Sequence, residues 1–321
     1  MNRKERIMAA IAGEKLDQVP MAFWLPPVGK ENAPETNAEI AHQFAEGWGL
    51  DLAVTVNSSS YSAEDYKAPE FTRNGGVIYI KRPEDWKEIG EVSVNHGALL
   101  REQTALKALL TREAGSRPVV FRIMSPLATA GILAPHLYED IRRGGGNLVK
   151  EALKAITETT CALVQRVIEL GADGIFFEAP LADYEICDEA FYREYGAPYD
   201  MAVLSASQGW CNIVRGGETD AMFPVLRKYP SQIFSWDASQ SLPTLQEVQD
   251  LTDKCCMAGL SRRHLEFGLR NEAEYDLYRT LKTTDGRRLI LSAGAAVQPH
   301  PGMAPFLEKS RREMEERLGI Q

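Results

Sequence analysis

Three side chains with obvious chemical capacity each close a short apolar run: Arg122 in VVFR, Glu178 in GIFFE and Arg215 in CNIVR. A carboxylate in such a place can act as a general base, hold a cation or ligate a metal, and its plainer role is an ion pair with a neighbouring arginine. A guanidinium there can grip a substrate carboxylate through two parallel N–H bonds, or serve as that acid's partner. Asn57, Trp236 and Asp237 follow similar runs, and Trp236 is better suited to a wall than to catalysis because strand aromatics mostly pack. Among the histidines, His300 in QPHPG is best placed to reach the same region, with a surface-loop role competing. The candidates are therefore Glu178, Arg215 and His300 for catalysis, and Asn57, Arg122, Trp236 and Asp237 for substrate binding. Glu178 with His300 could ligate a metal, although nothing in the spacing demands one. Cys255 and Cys256 are adjacent and point to opposite faces of any strand, so they cannot chelate as a Cys-x-x-Cys pair does; Cys211 reads as a core thiol.

These residues need rigid elements to hold them. Short β-rich runs fall near 19–24, 51–56, 118–123, 174–178, 210–215, 232–236, 256–260 and 288–292. Helical periodicity fills the gaps at about 38–47, 101–114, 147–170, 188–206, 218–227, 244–253, 271–283 and 304–318, after an amphipathic N-terminal helix. Eight strands alternating with helices predict a parallel sheet closed as a single (β/α)8 barrel spanning residues 1–321. In that fold the chemistry belongs at the C-terminal ends of the strands, where the candidates lie. The stretch from Tyr61 to Val94 breaks the pattern, and NGG between FTR and VIYIKR predicts a small β-hairpin inserted after the second strand. The glycines at 144–146 lie between two helical segments, the wrong context for a phosphate loop.

At 321 residues and 44% hydrophobic, the chain can bury one large core or two modest ones, and length alone does not choose between them. Its longest apolar runs fall far short of the roughly 18–20 residues that span a bilayer, and the N-terminus lacks the features of a signal peptide. The five cysteines show no disulfide-framework spacing. A cytoplasmic chain with free thiols is expected. The net charge of −9, with basic residues scattered among acids, argues against a nucleic-acid partner.

Seven stretches, in order along nearly the whole chain, resemble the uroporphyrinogen decarboxylase superfamily: RKERIMAAIAGEKLDQVPMAFW, WGLDLAVTV, Ser125-Pro126, GADGIFFEAP, YPSQIFSWD, MAGL at 257–260 and LILSAG at 289–294. That superfamily includes the decarboxylase and corrinoid-linked methyltransferases. The resemblance implies the barrel fold and a homodimer, although no motif marks an interface. The decarboxylase's arginine-rich first loop is replaced here by LPPVGKENAP, and its aspartate after the second strand falls at about Ser58. Without fixed charge for the substrate's carboxylates and for the developing charge on the ring, porphyrinogen decarboxylation is disfavoured. The methyltransferases carry a zinc site, His-x-Cys after the fifth strand and a cysteine after the eighth. Ile213, Arg215 and Ala295 stand at those places, so zinc is not expected at the usual site.

What remains implied is a methyltransferase-like enzyme moving a methyl group between a small methylated substrate and a corrinoid protein or folate-type acceptor. The corrinoid is supplied by a partner protein, since this chain shows no corrinoid-binding domain. Two alternatives stay open: a decarboxylase or lyase of a small carboxylate, with an arginine as clamp and Glu178 as proton donor, and a non-catalytic member of the superfamily.

Overall fold

The apolar runs pair as parallel strands, hydrogen-bonded in chain order. In the computed structural model, which describes residues 1–29, 31–66 and 80–320, these are β1 (Ala53–Val54), β2 (Val119–Met124), β3 (Gly174–Glu178), β4 (Ile213–Arg215), β5 (Ile233–Ser235), β6 (Cys255–Gly259) and β7 (Leu289–Ser292). Helices flank and connect them: α1 (Arg3–Ala12), α2 (Pro34–Gly47), α3 (Gly97–Glu113), α4 (Pro126–Leu133), α5 (Leu137–Asp140), α6 (Gly146–Glu169), α7 (Glu189–Tyr195), α8 (Ala197–Ala206), α9 (Phe223–Leu226), α10 (Leu245–Leu251), α11 (Arg262–Glu266), α12 (Arg270–Thr284) and α13 (Met303–Leu318). Among the described residues, no helix is long and apolar enough to cross a membrane.

Alternation along the strands explains why their sequences are apolar throughout. Successive side chains point to opposite faces, and both faces are covered. Val54, Val120, Phe176, Ile213, Ile233, Cys255, Met257 and Ile290 form one buried cluster on the inner, concave face. Phe121, Ile123, Ile175, Phe177, Val214, Phe234, Cys256, Ala258, Leu289 and Leu291 join the other, between the sheet and its helices. Cys255 and Cys256 thus fall in different clusters, and both thiols are free. Helix α1, started by an Asn2–Glu5 capping box, lays Ile7, Ala9 and Ala10 against the inner cluster and covers that end of the sheet.

The segment expected as the first strand does not form a ladder. It makes one parallel bridge, Met21 to Leu291, with Ala22 N donating to Leu291 O and Leu291 N to Pro20 O, both within 3.0 Å. On its other side Met21 O accepts from Asp51 N at 2.9 Å. The physical reason is a shortage of donors, because Pro20 has no N–H and Met21 N is taken by the Asp51 carboxylate at 2.9 Å. The helix expected over 188–206 divides at Gly196, where Pro198 starts a new helix because it cannot donate into an existing one. The predicted hairpin at FTR-NGG-VIYIKR falls largely outside the described residues; what is described of that insertion includes a 3-10 turn at Pro83–Glu88.

Candidate active site at the strand ends

Counting by twos from the inner cluster leads to the charged residues. Val120 is followed on the same face by Arg122, Phe176 by Glu178, Ile213 by Arg215, and Ile233 by Ser235 and then Asp237. Strand register sets Glu178 beside Met124 on one side and Arg215 on the other. Alternation and register therefore deliver an acid between two arginines to the C-terminal end of the inner face.

The side chains use that placement. Arg122 Nε donates to Glu178 Oε2 in a short ion pair, and Arg215 Nη1 lies 3.7 Å from Glu178 Oε1. Arg122 is 7% exposed, Glu178 3% and Arg215 4%, so the cluster is removed from solvent screening. Arg215 is held further by Nε donating to Gly294 O at 3.2 Å and Nη2 to Glu218 at 3.0 Å, with its guanidinium 6.0 Å from the Trp24 ring. Gly294 has φ +65°, and a Cβ there would collide with the Trp236 carbonyl, so this turn requires glycine to bring its own carbonyl to Arg215.

A second set of contacts joins β1 to β2. Thr55 Oγ1 accepts from Arg122 N at 3.0 Å and donates to Asn57 Oδ1 at 2.6 Å, which orients the Asn57 amide. Tyr61 donates to Arg122 O at 2.7 Å and accepts from Met124 N at 3.3 Å. Burial pushes its hydroxyl well above the usual tyrosine range, so it stays neutral. Glu102 reaches in from α3, accepts from Arg101 and from Ser58 N, and is pushed up by burial against the opposing pull of Arg101. Arg101 also donates to Glu64 and to the Ser58 hydroxyl, tying the loop after β1 to α3.

Of the seven residues singled out from sequence, Arg122, Glu178 and Arg215 meet directly, and Asn57 joins them through Thr55. Asp237 is buried on the same side near Arg215; its carboxylate accepts from Ser239 N, Ser239 Oγ and Gln240, and burial raises it above the usual carboxylate range. Trp236 has the opposite parity. It stacks on Phe234 outside the inner cluster, and its indole donates to Pro243 O, so it supports the wall from behind. His300 is exposed, its ring nitrogen 2.7 Å from Pro301 O, and makes no hydrogen bond or ion pair with Glu178. Sequence reasoning passed over Trp24, Tyr61 and Glu102. Only Trp24 carried a signal, sharing inner parity with Ala22 in the first apolar run.

No family model matches the chain. Two curated relatives are similar to it, the methylcobamide:CoM methyltransferases MtbA of Methanosarcina acetivorans and Methanosarcina mazei, at 23% and 24% identity over 63% of this chain. The match spans 66% of each relative, just under two thirds of its length. A solved methyltransferase from Methanosarcina mazei superposes with a TM-score of 0.80, covering 98% of this chain and 99% of that one at 16% identity. In sequence the chain is similar to this methyltransferase branch, and the superposition shows that it shares the fold. The fold extends beyond that branch, since a B12-independent methionine synthase from a Shewanella species gives a TM-score of 0.66 at 14% identity, covering 95% of this chain and all of that one.

The zinc positions that the sequence resemblance implies can be tested against the geometry. The strand ends that would carry them do meet, because Arg215 bonds to Gly294, the neighbour of Ala295. Ile213 is packed in the inner cluster and Ala295 has no donor atom. The residues present do not fit a zinc ion there, and a fixed guanidinium occupies that corner.

Proposed function

We propose that this chain moves a methyl group between a small methylated substrate, bound at the strand ends, and a corrinoid carried by a separate protein, or a folate-type acceptor. The observation that carries the reading is the buried Arg122–Glu178–Arg215 cluster in a chain whose curated relatives are methylcobamide:CoM methyltransferases. The reading includes closure of the sheet into a (β/α)8 barrel by Pro20–Trp24, supported by the bonds of that segment to Leu291 and Asp51. The corrinoid supplies a centre that accepts or gives up the methyl group.

The chain's own residues act on what the methyl leaves behind. When the methyl departs without its bonding electrons, the pair stays on the substrate heteroatom, which becomes more negative. Arg215, fixed by Gly294, Glu218 and Glu178, is a cation already in place for that charge and needs no reorganisation. Glu178 holds both guanidiniums in position. His300, exposed and bonded within its own loop, has no part in this step.

The test uses the purified full chain with free methylcobalamin and coenzyme M, following the corrinoid spectrum. Demethylation faster than the thiol alone supports the reading, and a rate equal to that background sinks it. Arg215→Ala should lower the rate by about 10²-fold or more. A lyase acting on a small carboxylate draws on the same site, because Arg122 Nη1 is buried without a hydrogen-bond partner. Stoichiometric release of carbon dioxide without corrinoid would identify that reaction instead.

A further inference from the structure

Three buried N–H groups around the site have no hydrogen-bond partner among the described residues: Trp24 Nε1, Asn57 Nδ2 and Arg122 Nη1. Their residues are 2%, 1% and 7% exposed. Leaving such a group unmade costs about 1–3 kcal/mol, so three around one site need an explanation. They belong to one run of contacts. Asn57 and Arg122 share Thr55 Oγ1, Arg122 is paired to Glu178, Glu178 faces Arg215, and the Arg215 guanidinium lies by the Trp24 ring. All three are donors, and one is charged. Unpartnered oxygens also occur: Glu102 Oε2 belongs to the loop-anchoring network, where its other oxygen is engaged by Arg101 and Ser58 N, and the Tyr138 hydroxyl, able to donate or accept, lies in the adjoining cleft.

Beside this row lies an apolar cleft of about 340 Å³, lined chiefly by Met124, Ala128, Ile132, Leu137, Tyr138 and Leu181. It is at the lower end of the roughly 300–1,000 Å³ of small-molecule sites. Met124 is two residues beyond Arg122 and is the strand partner of Glu178, while Pro180, also in the lining, is two residues beyond Glu178. No Asp, Glu, Lys or Arg lines the cleft.

We infer that the substrate is an apolar carboxylate of about one ring in size, its oxygens accepting from Trp24, Asn57 and Arg122 and its body lying in the cleft of Met124, Ile132 and Leu181. The inference rests on the site assignment above and deepens it by naming the substrate class. A carboxylate presents acceptors alone, matching the three unpartnered N–H donors, and the Tyr138 hydroxyl can donate to it as well. A methylammonium presents donors or a bare cation, from which the three N–H groups can accept nothing, and it would have to compete with two guanidiniums for Glu178. The apolar body gains from burial in proportion to the area it removes from water, at about 25 cal/mol per Å².

The experiment is calorimetric titration of the full chain, without corrinoid, with benzoate, benzamide, benzylamine and acetate. Benzoate should bind at least about ten-fold more tightly than benzamide, a difference of about 1.4 kcal/mol, and benzylamine should not bind. Asn57→Asp, which exchanges an amide donor for a carboxylate, should weaken benzoate ten-fold or more. Ile132→Trp, which fills the cleft, should weaken benzoate and leave acetate unchanged. Melting curves check that each variant folds, and Asn57→Ala stands in if the aspartate variant does not. Equal affinity for benzoate and benzamide, or undiminished benzoate binding in the Asn57 variants, overturns the inference. Because no methyl transfer is measured, selective benzoate binding with no transfer activity discards the reaction and keeps the pocket; corrinoid-dependent transfer with no benzoate selectivity does the reverse.

Discussion

Among the described residues, Glu178 is the one carboxylate with ion-pair contacts to both inner-face arginines, Arg122 and Arg215. Replacing it with glutamine keeps the shape and removes the charge, leaving two guanidiniums buried with much less compensation. Such uncompensated burial costs about 3–5 kcal/mol, which urea unfolding of Glu178→Gln would show as a lower midpoint at an unchanged slope. The double variant Arg122→Met with Glu178→Met should recover part of that loss, because it removes one of the two under-compensated guanidiniums while Arg215 keeps Glu218; a double variant no more stable than Glu178→Gln would contradict this account. The same residues show what the sequence made legible. Arg122, Glu178 and Arg215 could be found because strand alternation carries the inner-face count directly to them. Trp236 fails the same count, falling one residue past Ser235 and so on the outer face. Tyr61 and Glu102 arrive from a loop and a helix, whose approach no local pattern encodes. His300 was placed by its loop, and two prolines fix a loop's path without fixing which way a ring turns.

Asp200 on α8 accepts from the hydroxyls of Tyr192 on α7 and of Tyr229 beyond α9. Burial pushes Asp200 up to about 7 from its ordinary 3.8. The unfolded chain releases this proton near pH 4 and the folded chain only near pH 7, so between the two the folded state binds more protons. Stability from this group is therefore greatest at low pH and falls as pH rises to 7. Asp200→Asn removes the titration, and its stability relative to the natural chain should rise by about 3 kcal/mol from pH 5 to pH 8. Unfolding curves at pH 5, 6, 7 and 8 test this, and a pH-independent difference would refute it. At this scale seven of the eight expected strands form as ladders, because buried β-rich runs bounded by helices have few other uses. The first run forms only a bridge, since what limits it is a missing donor at Pro20 and a competing side-chain acceptor on Asp51, neither visible in an apolar pattern.

Across the whole molecule, that first run is held by residues distant in sequence. Val19 N donates to Glu315 at 2.7 Å, and Arg311 donates to Val19 O at 2.8 Å, both partners on α13. Arg6 on α1 donates to Asp51, which in turn holds Met21 N. Arg311→Leu should accordingly lower stability by about 2–4 kcal/mol, since it leaves Glu315, fully buried, without its cation. A melting temperature within a degree of the natural chain would show that the first run is held by other means. The bond between Arg311 and Val19 spans 292 residues. A ribosome adding about 5–20 residues per second takes roughly 15–60 seconds to cover that distance. For that interval the emerging chain has Val19 without its partners on α13 and Met21 without its bridge to Leu291, although Asp51 already holds Met21 on the other side. A nascent chain so arranged offers an unpaired strand to any neighbour on the same polysome, which makes helper proteins that shield strand edges more important to its yield than its final stability suggests.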